Sequence, residues 1–90
     1  MHVDAIWDLD DDPDGNVSHI AEHGVSVSEV EEVLRNPVSK VASRSSGRPL
    51  CFGWTSTGRY LADIFDVVEE NPLVVYPVTA FDFEPGEEVS

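Results

Sequence analysis

The chain has 90 residues, with 18 acidic against 5 basic side chains for a formal charge of −13, and 41% of its residues are hydrophobic. That length holds one modest core and argues against a second domain, while the apolar fraction, with two Trp and four Phe, excludes a disordered chain. A charge of this sign repels phosphate backbones and anionic bilayer surfaces, and no apolar run nears the ~20 residues that span a membrane, so neither free-standing nucleic-acid binding nor membrane binding is expected.

The opening MHVDAIWDLD lacks the basic start and apolar stretch of a secretory signal, which points to the cytoplasm. Val3 to Trp7 reads as a short edge strand, ended by the acidic run Asp8 to Gly15. A first helix of about two turns follows, with Val17, Ile20 and Ala21 at helical spacing and Gly24 where a left-handed residue ends a helix. The second helix has the clearest start signal. Ser26 and Glu29 form an S-x-x-E capping box, and Val25 and Val30 stand at the hydrophobic-staple positions. Its apolar stripe is Val27, Val30, Val33 and Leu34, and it should stop near Arg35, because Asn36 precedes a proline.

From Pro37 onward the texture is that of strands: Val38 to Ser43, Pro49 to Thr55, Arg59 to Val68 and Leu73 to Phe81. The turns between them fall at Ser45-Ser46-Gly47, Ser56-Thr57-Gly58 and Glu69-Glu70-Asn71-Pro72. Cys51, the single cysteine, lies between Leu50 and Phe52 and reads as a buried core thiol. Short turns between successive strands imply an antiparallel meander. The expectation is therefore an α+β two-layer sandwich, an antiparallel sheet with two short helices near the N-terminus packed on one face. It occupies residues 1–83, with an acidic tail over 84–90. The other sheet face, if acidic like the chain as a whole, would suit a basic partner.

Two constellations stand out from the residues alone. Asp10, Asp12 and Asp14 followed by Gly15 read as D-x-D-x-D-G, the first half of a calcium loop, and are the candidate metal ligands. The twelfth position, where a bidentate Glu belongs, is Ala21, and Pro13 stiffens the loop. A solvated acidic turn is the plainer reading. His19 and His23, four apart, share a helix face, as either an acid–base pair or a transition-metal pair without an obvious third ligand. No Gly-rich phosphate loop, nucleophile elbow or dinucleotide fingerprint is present, so no cofactor is expected.

The segment Asn16-Val17-Ser18-His19-Ile20-Ala21-Glu22-His23-Gly24-Val25-Ser26 resembles the N-x-x-N-x-x-K-H-G-V-S segment of BrnT-family toxins. Trp7-Asp8 ahead of it is similar to their opening W-D at a longer spacing. Val33-Leu34-Arg35-Asn36-Pro37 resembles V-F-x-D-P, Gly47-Arg48 the G-E-R turn, and Thr57-Gly58-Arg59-Tyr60-Leu61 the D-G-R-L-L run. The resemblance covers about Ile6 to Phe81. It implies a RelE-like fold, membership of a toxin–antitoxin-type system and metal-independent RNA cleavage.

The departures bear on activity. Glu22 replaces the family lysine, His19 its second asparagine, and Tyr76 to Phe81 a final strand that carries two arginines. Cleavage of RNA needs a base, an acid and cations to stabilise charge on phosphate. The residues left for that set are His19, His23, Arg48 and Arg59, with Arg44 and Tyr76 as further members. Against it, His23 fits a helix-end position, and Arg48 and Arg59 fit turn positions paired with carboxylates. The resemblance and its departures together imply a domain with catalysis lost or altered that acts through a protein partner, an antitoxin or another basic protein. The alternatives are an active ribonuclease built on those four residues and a weak calcium module at Asp10–Asp14.

Overall fold

A computed structural model describes residues 3–42 and 47–84 of the chain. Arg44, most of the turn before Gly47 and the tail from residue 85 onward lie outside the described residues. Strand β1 (Asp4–Ala5) leads through the acidic loop to helix α1 (Asn16–Ala21) and helix α2 (Val27–Arg35). Four strands then follow: β2 (Ser39–Ala42), β3 (Pro49–Trp54), β4 (Tyr60–Glu70) and β5 (Leu73–Asp82). They form a five-stranded sheet in the order β1-β5-β4-β3-β2, an α+β arrangement. Among the described residues no helix is long and apolar enough to cross a membrane.

The sheet is mixed, which corrects the expectation of a wholly antiparallel one. Strands β2 to β5 make the predicted meander, but β1 lies parallel to β5, with Asp4 opposite Val74 and Ala5 opposite Val75. The helical segment carries the chain from β1 across to β2 at the far edge, which leaves β1 beside the last strand in the same direction. Strand β4 also runs past its expected end, because Glu69 and Glu70 pair with Val74 and Leu73, and the turn shrinks to Asn71-Pro72. Pro77 is tolerated inside β5 because the ladder to β4 is interrupted next to it, between the Ile64–Thr79 and Phe65–Pro77 pairs.

Both helices begin and end for local reasons. Ser26 caps α2: its Oγ accepts from the Glu29 amide at 3.3 Å, and Glu29 Oε1 accepts from the Ser26 amide at 3.1 Å, closing the predicted box. The staple residues Val25 and Val30 are both buried. Helix α1 ends in a turn at Gly24, whose φ of +70° strains any other residue. Gly15, before α1, is held for a different reason: a Cβ there would sit 2.7 Å from the Asp8 Cβ.

The core lies between the helices and one sheet face, where Ile20, Val30, Val33 and Leu34 meet Cys51, Leu61, Phe65, Val75 and Ala80. The opposite face is aromatic and apolar, which corrects the acidic face expected from the charge. Phe52, Tyr60 and Ala62 are buried there, with Leu50, Phe81 and Phe83 packed against them, and the Phe52 and Phe83 rings are 4.9 Å apart. Trp54 lies 4.8 Å from Tyr60 and is 52% exposed. Most of the acidic residues sit on the helices, loops and strand ends instead, with Asp63 and Asp66 inside β4.

Candidate functional site

Arg59 stands at the start of β4, after the turn in which Gly58 adopts φ +86°. Its guanidinium reaches back over the helix-facing side of the sheet. Nη1 donates to the Gly24 carbonyl at 2.7 Å and to Glu29 Oε1 at 3.0 Å. Nε and Nη2 grip the two oxygens of Asp82 at 3.0 and 2.8 Å. The same Glu29 carboxylate accepts the Thr57 hydroxyl on its other oxygen, and Glu32 accepts the Ser56 amide. One arginine thus joins the end of α1, the start of α2, the β3–β4 turn and the last strand.

The electrostatics follow from these contacts. The Asp82 bonds, ahead of the Glu29 charge, raise the Arg59 pKa against a smaller burial penalty, and the Arg59 bonds hold the Asp82 carboxyl low. Burial pushes Glu29 up, but its bonds from Ser26 and Thr57 and the Arg59 charge together bring it below the ordinary value.

A second polar cluster pins the acidic loop. Asn16 is 3% exposed and its side chain is fully used: Nδ2 donates to the Ile6 and Pro77 carbonyls, each at 2.9 Å, and Oδ1 accepts the Asp8 amide at 2.9 Å. Asp8 Oδ2 in turn accepts the Asn16 amide and the Tyr76 hydroxyl. These bonds, that of Tyr76 first, lower the Asp8 carboxyl, and Asp8 raises the Tyr76 phenol. Asp8 thereby caps the first turn of α1 from a distance, where Gly15 has no side chain to do so.

The four residues expected to share an active site are not gathered. His19 and His23 are exposed neighbours with ring centroids 6.3 Å apart, and His23 lies 6.2 Å from the Phe81 ring. Arg59 is near them through Gly24. Arg48 is elsewhere, with Nε 2.9 Å from Asp66 Oδ1. Asp66 lies five residues along β4 from Leu61, the partner of Asp82, so the two guanidinium anchors are about 17 Å apart along the strand. Alternation places them on opposite faces as well, Asp66 with the aromatic face and Asp82 with Leu61 on the helix face. Tyr76 belongs to the Asp8 cluster.

The candidate calcium ligands are likewise not assembled. Asp12 turns inward on its own loop, its Oδ1 accepting the Asp14 amide at 3.0 Å and its carbonyl accepting Ser18 Oγ at 2.7 Å. Among the described residues no group of three or more His, Cys, Asp or Glu side chains converges as a metal site would.

Asp63 belongs to none of the constellations that stand out in the sequence. It stands on β4 between Leu61 and Phe65, opposite Cys51 on β3 and Ala80 on β5, and is completely buried. Among the described residues neither carboxylate oxygen has a hydrogen-bond partner, and burial pushes its pKa up to about 8. The Cys51 thiol opposite is raised to about 12, by burial first and then by Asp63. The clue was available: Tyr60, Ala62 and Ile64 alternate with Leu61 and Phe65, a strand apolar on both faces, so an Asp inside it faces a core.

The chain matches no family model, no curated protein and no solved structure.

Proposed function

We propose that this domain is a divergent BrnT/RelE-like module of a toxin–antitoxin-type system, in which RNA cleavage has been lost and action runs through a basic protein partner. The observation that carries the loss of catalysis is Arg59. Its guanidinium already holds two carboxylates and a carbonyl, so a phosphate would have to displace anions that the fold itself needs. Arg48 is paired with Asp66 on the other face, and the net charge of −13 opposes the counterion release that drives RNA binding. That charge favours a partner of opposite sign, and the toxin–antitoxin setting rests on the motifs from Trp7-Asp8 to Arg59-Tyr60-Leu61.

The test is direct. Purified domain incubated with mixed RNA at about 150 mM salt should neither cleave it nor bind it with micromolar affinity. Cleavage that disappears in His19→Ala or His23→Ala would establish the ribonuclease reading instead. For the partner, any small reading frame found beside the gene is co-expressed with the domain. A basic product that co-purifies supports the proposal, and a neighbour that does not associate counts against it.

A further inference from the structure

Among the described residues Asp63 is a fully buried carboxylate without a hydrogen-bond partner, a chemistry that contradicts its apolar surroundings. Its two carboxylate oxygens lie in the centre of the sheet, under the helix layer, without a donor among the described residues. Leaving a carboxylate so placed in its charged form is far more costly than burying the neutral acid.

The neighbourhood offers little compensation. Directly opposite on β3 is the Cys51 thiol, and on β5 the alanine Ala80, with Lys40 one strand farther out on β2. Helix α2 turns Val30, Val33 and Leu34 inward and keeps Glu29, Glu31, Glu32 and Arg35 on its partly exposed flanks, while α1 contributes Ile20 and keeps His19 outside. On the same face Arg59 is engaged with Asp82 and Glu29 at the end of the strand.

We propose that Asp63 is a proton-operated latch between the sheet and the helix layer: the neutral acid lets the helices close over the sheet, and its ionisation favours an open state in which the carboxylate is hydrated. The proton leaves Asp63 for solvent on opening and returns on closure, and no other group is needed. The upward displacement of its acidity agrees with this arrangement and sets the range over which the latch works. The proposal is independent of the function proposed above.

Cys51 is a built-in reporter, being the single cysteine, 1% exposed and directly opposite Asp63. The experiment measures Cys51 alkylation by a maleimide in the native protein and in Asp63→Asn, across the pH range, at reagent concentrations where the rate is proportional to reagent. Once open, the two thiols differ by the fixed influence of the Asp63 charge, so the change of the rate ratio with pH isolates the contribution of Asp63 to opening. In the closed protein Asp63 keeps its proton to about pH 8, whereas in the open one it ionises at an ordinary value near 4. The ratio of native to variant rates should therefore rise about tenfold per pH unit through the neutral range and level off near pH 8. A ratio that stays flat with pH would overturn the proposal.

Infrared spectra of the native protein keep the question open to refutation even if the variant does not fold. A protonated-carboxyl stretch present at about pH 6 should vanish by about pH 9, and its absence at the lower pH would show Asp63 to be ionised in the closed core.

Discussion

Arg59→Ala removes the side chain on which four segments converge, and its cost can be worked from the contacts. The pair with Asp82 involves a carboxylate side chain that is 63% exposed, so solvent screening leaves it worth about 0–1 kcal/mol. The Glu29 side chain is only 13% exposed, and a hydrogen bond to a charged group in that setting contributes about 1.5–3 kcal/mol. The neutral Gly24 carbonyl adds about 1 kcal/mol. The expected loss is about 3 kcal/mol, which for a domain of this size lowers Tm by about 15 °C. Arg59→Lys should lose most of the same amount, because an ammonium cannot divide a planar fork between Glu29, Asp82 and a carbonyl. Urea titration of the three proteins measures these differences, and double-mutant cycles should give a larger coupling to Glu29 than to Asp82. Both carboxyls are held below their ordinary values. The cluster therefore stabilises fully above the ordinary carboxylate range, and its contribution fades as pH falls through the lowered values. A loss below about 1 kcal/mol in Arg59→Ala would mean that the guanidinium is effectively free, and the argument against phosphate chemistry would fall with it.

Asn16→Ala should cost about 3 kcal/mol in the same assay, since it strands the Ile6 and Pro77 carbonyls and the Asp8 amide together. A loss near zero would show that water replaces the amide and that the loop is not pinned. Ser26→Ala should lose about 1 kcal/mol by opening the capping box, and an unchanged denaturation midpoint would deny the cap its role. Thermal melts with calcium and with magnesium, each at about 5 mM, should shift Tm equally, as expected when divalent ions screen the Asp8–Asp14 loop without being coordinated. A shift specific to calcium would reinstate Asp10, Asp12 and Asp14 as ligands.

What could be read from the chain was local. Ser26 and Glu29 are three residues apart and reach each other within one helical turn, so the start of α2 follows from their identities alone. Alternation and turn residues likewise gave the meander, and the pairing of Arg48 and Arg59 with carboxylates was the plainer of their two readings. The parallel seat of β1 was not legible, because two ladder residues are decided by where the helices return the chain and not by their own pattern. Net charge misled about the second sheet face. It sums over the surface, whereas Phe52, Tyr60 and Phe83 meet only once the strands are in register. The same limit applies to the site: Arg59 and Asp82 are 23 residues apart and Asp8 and Tyr76 are 68 apart, and nothing in their local sequence names the partner.

The Glu29 carboxylate serves the helix cap, the β3–β4 turn and Arg59 at once. A helix terminus is ordinarily the first part of a protein to exchange its amide hydrogens, because the end turns fray without disturbing the rest. Here the first turn of α2 cannot fray alone, since releasing it also releases the turn after β3 and the grip on the last strand. The Ser26 and Glu29 amides are therefore expected to exchange when the β3–β4 turn and the last strand also release, and not by fraying of the helix end alone. The helix layer is fastened to the sheet through the start of α2.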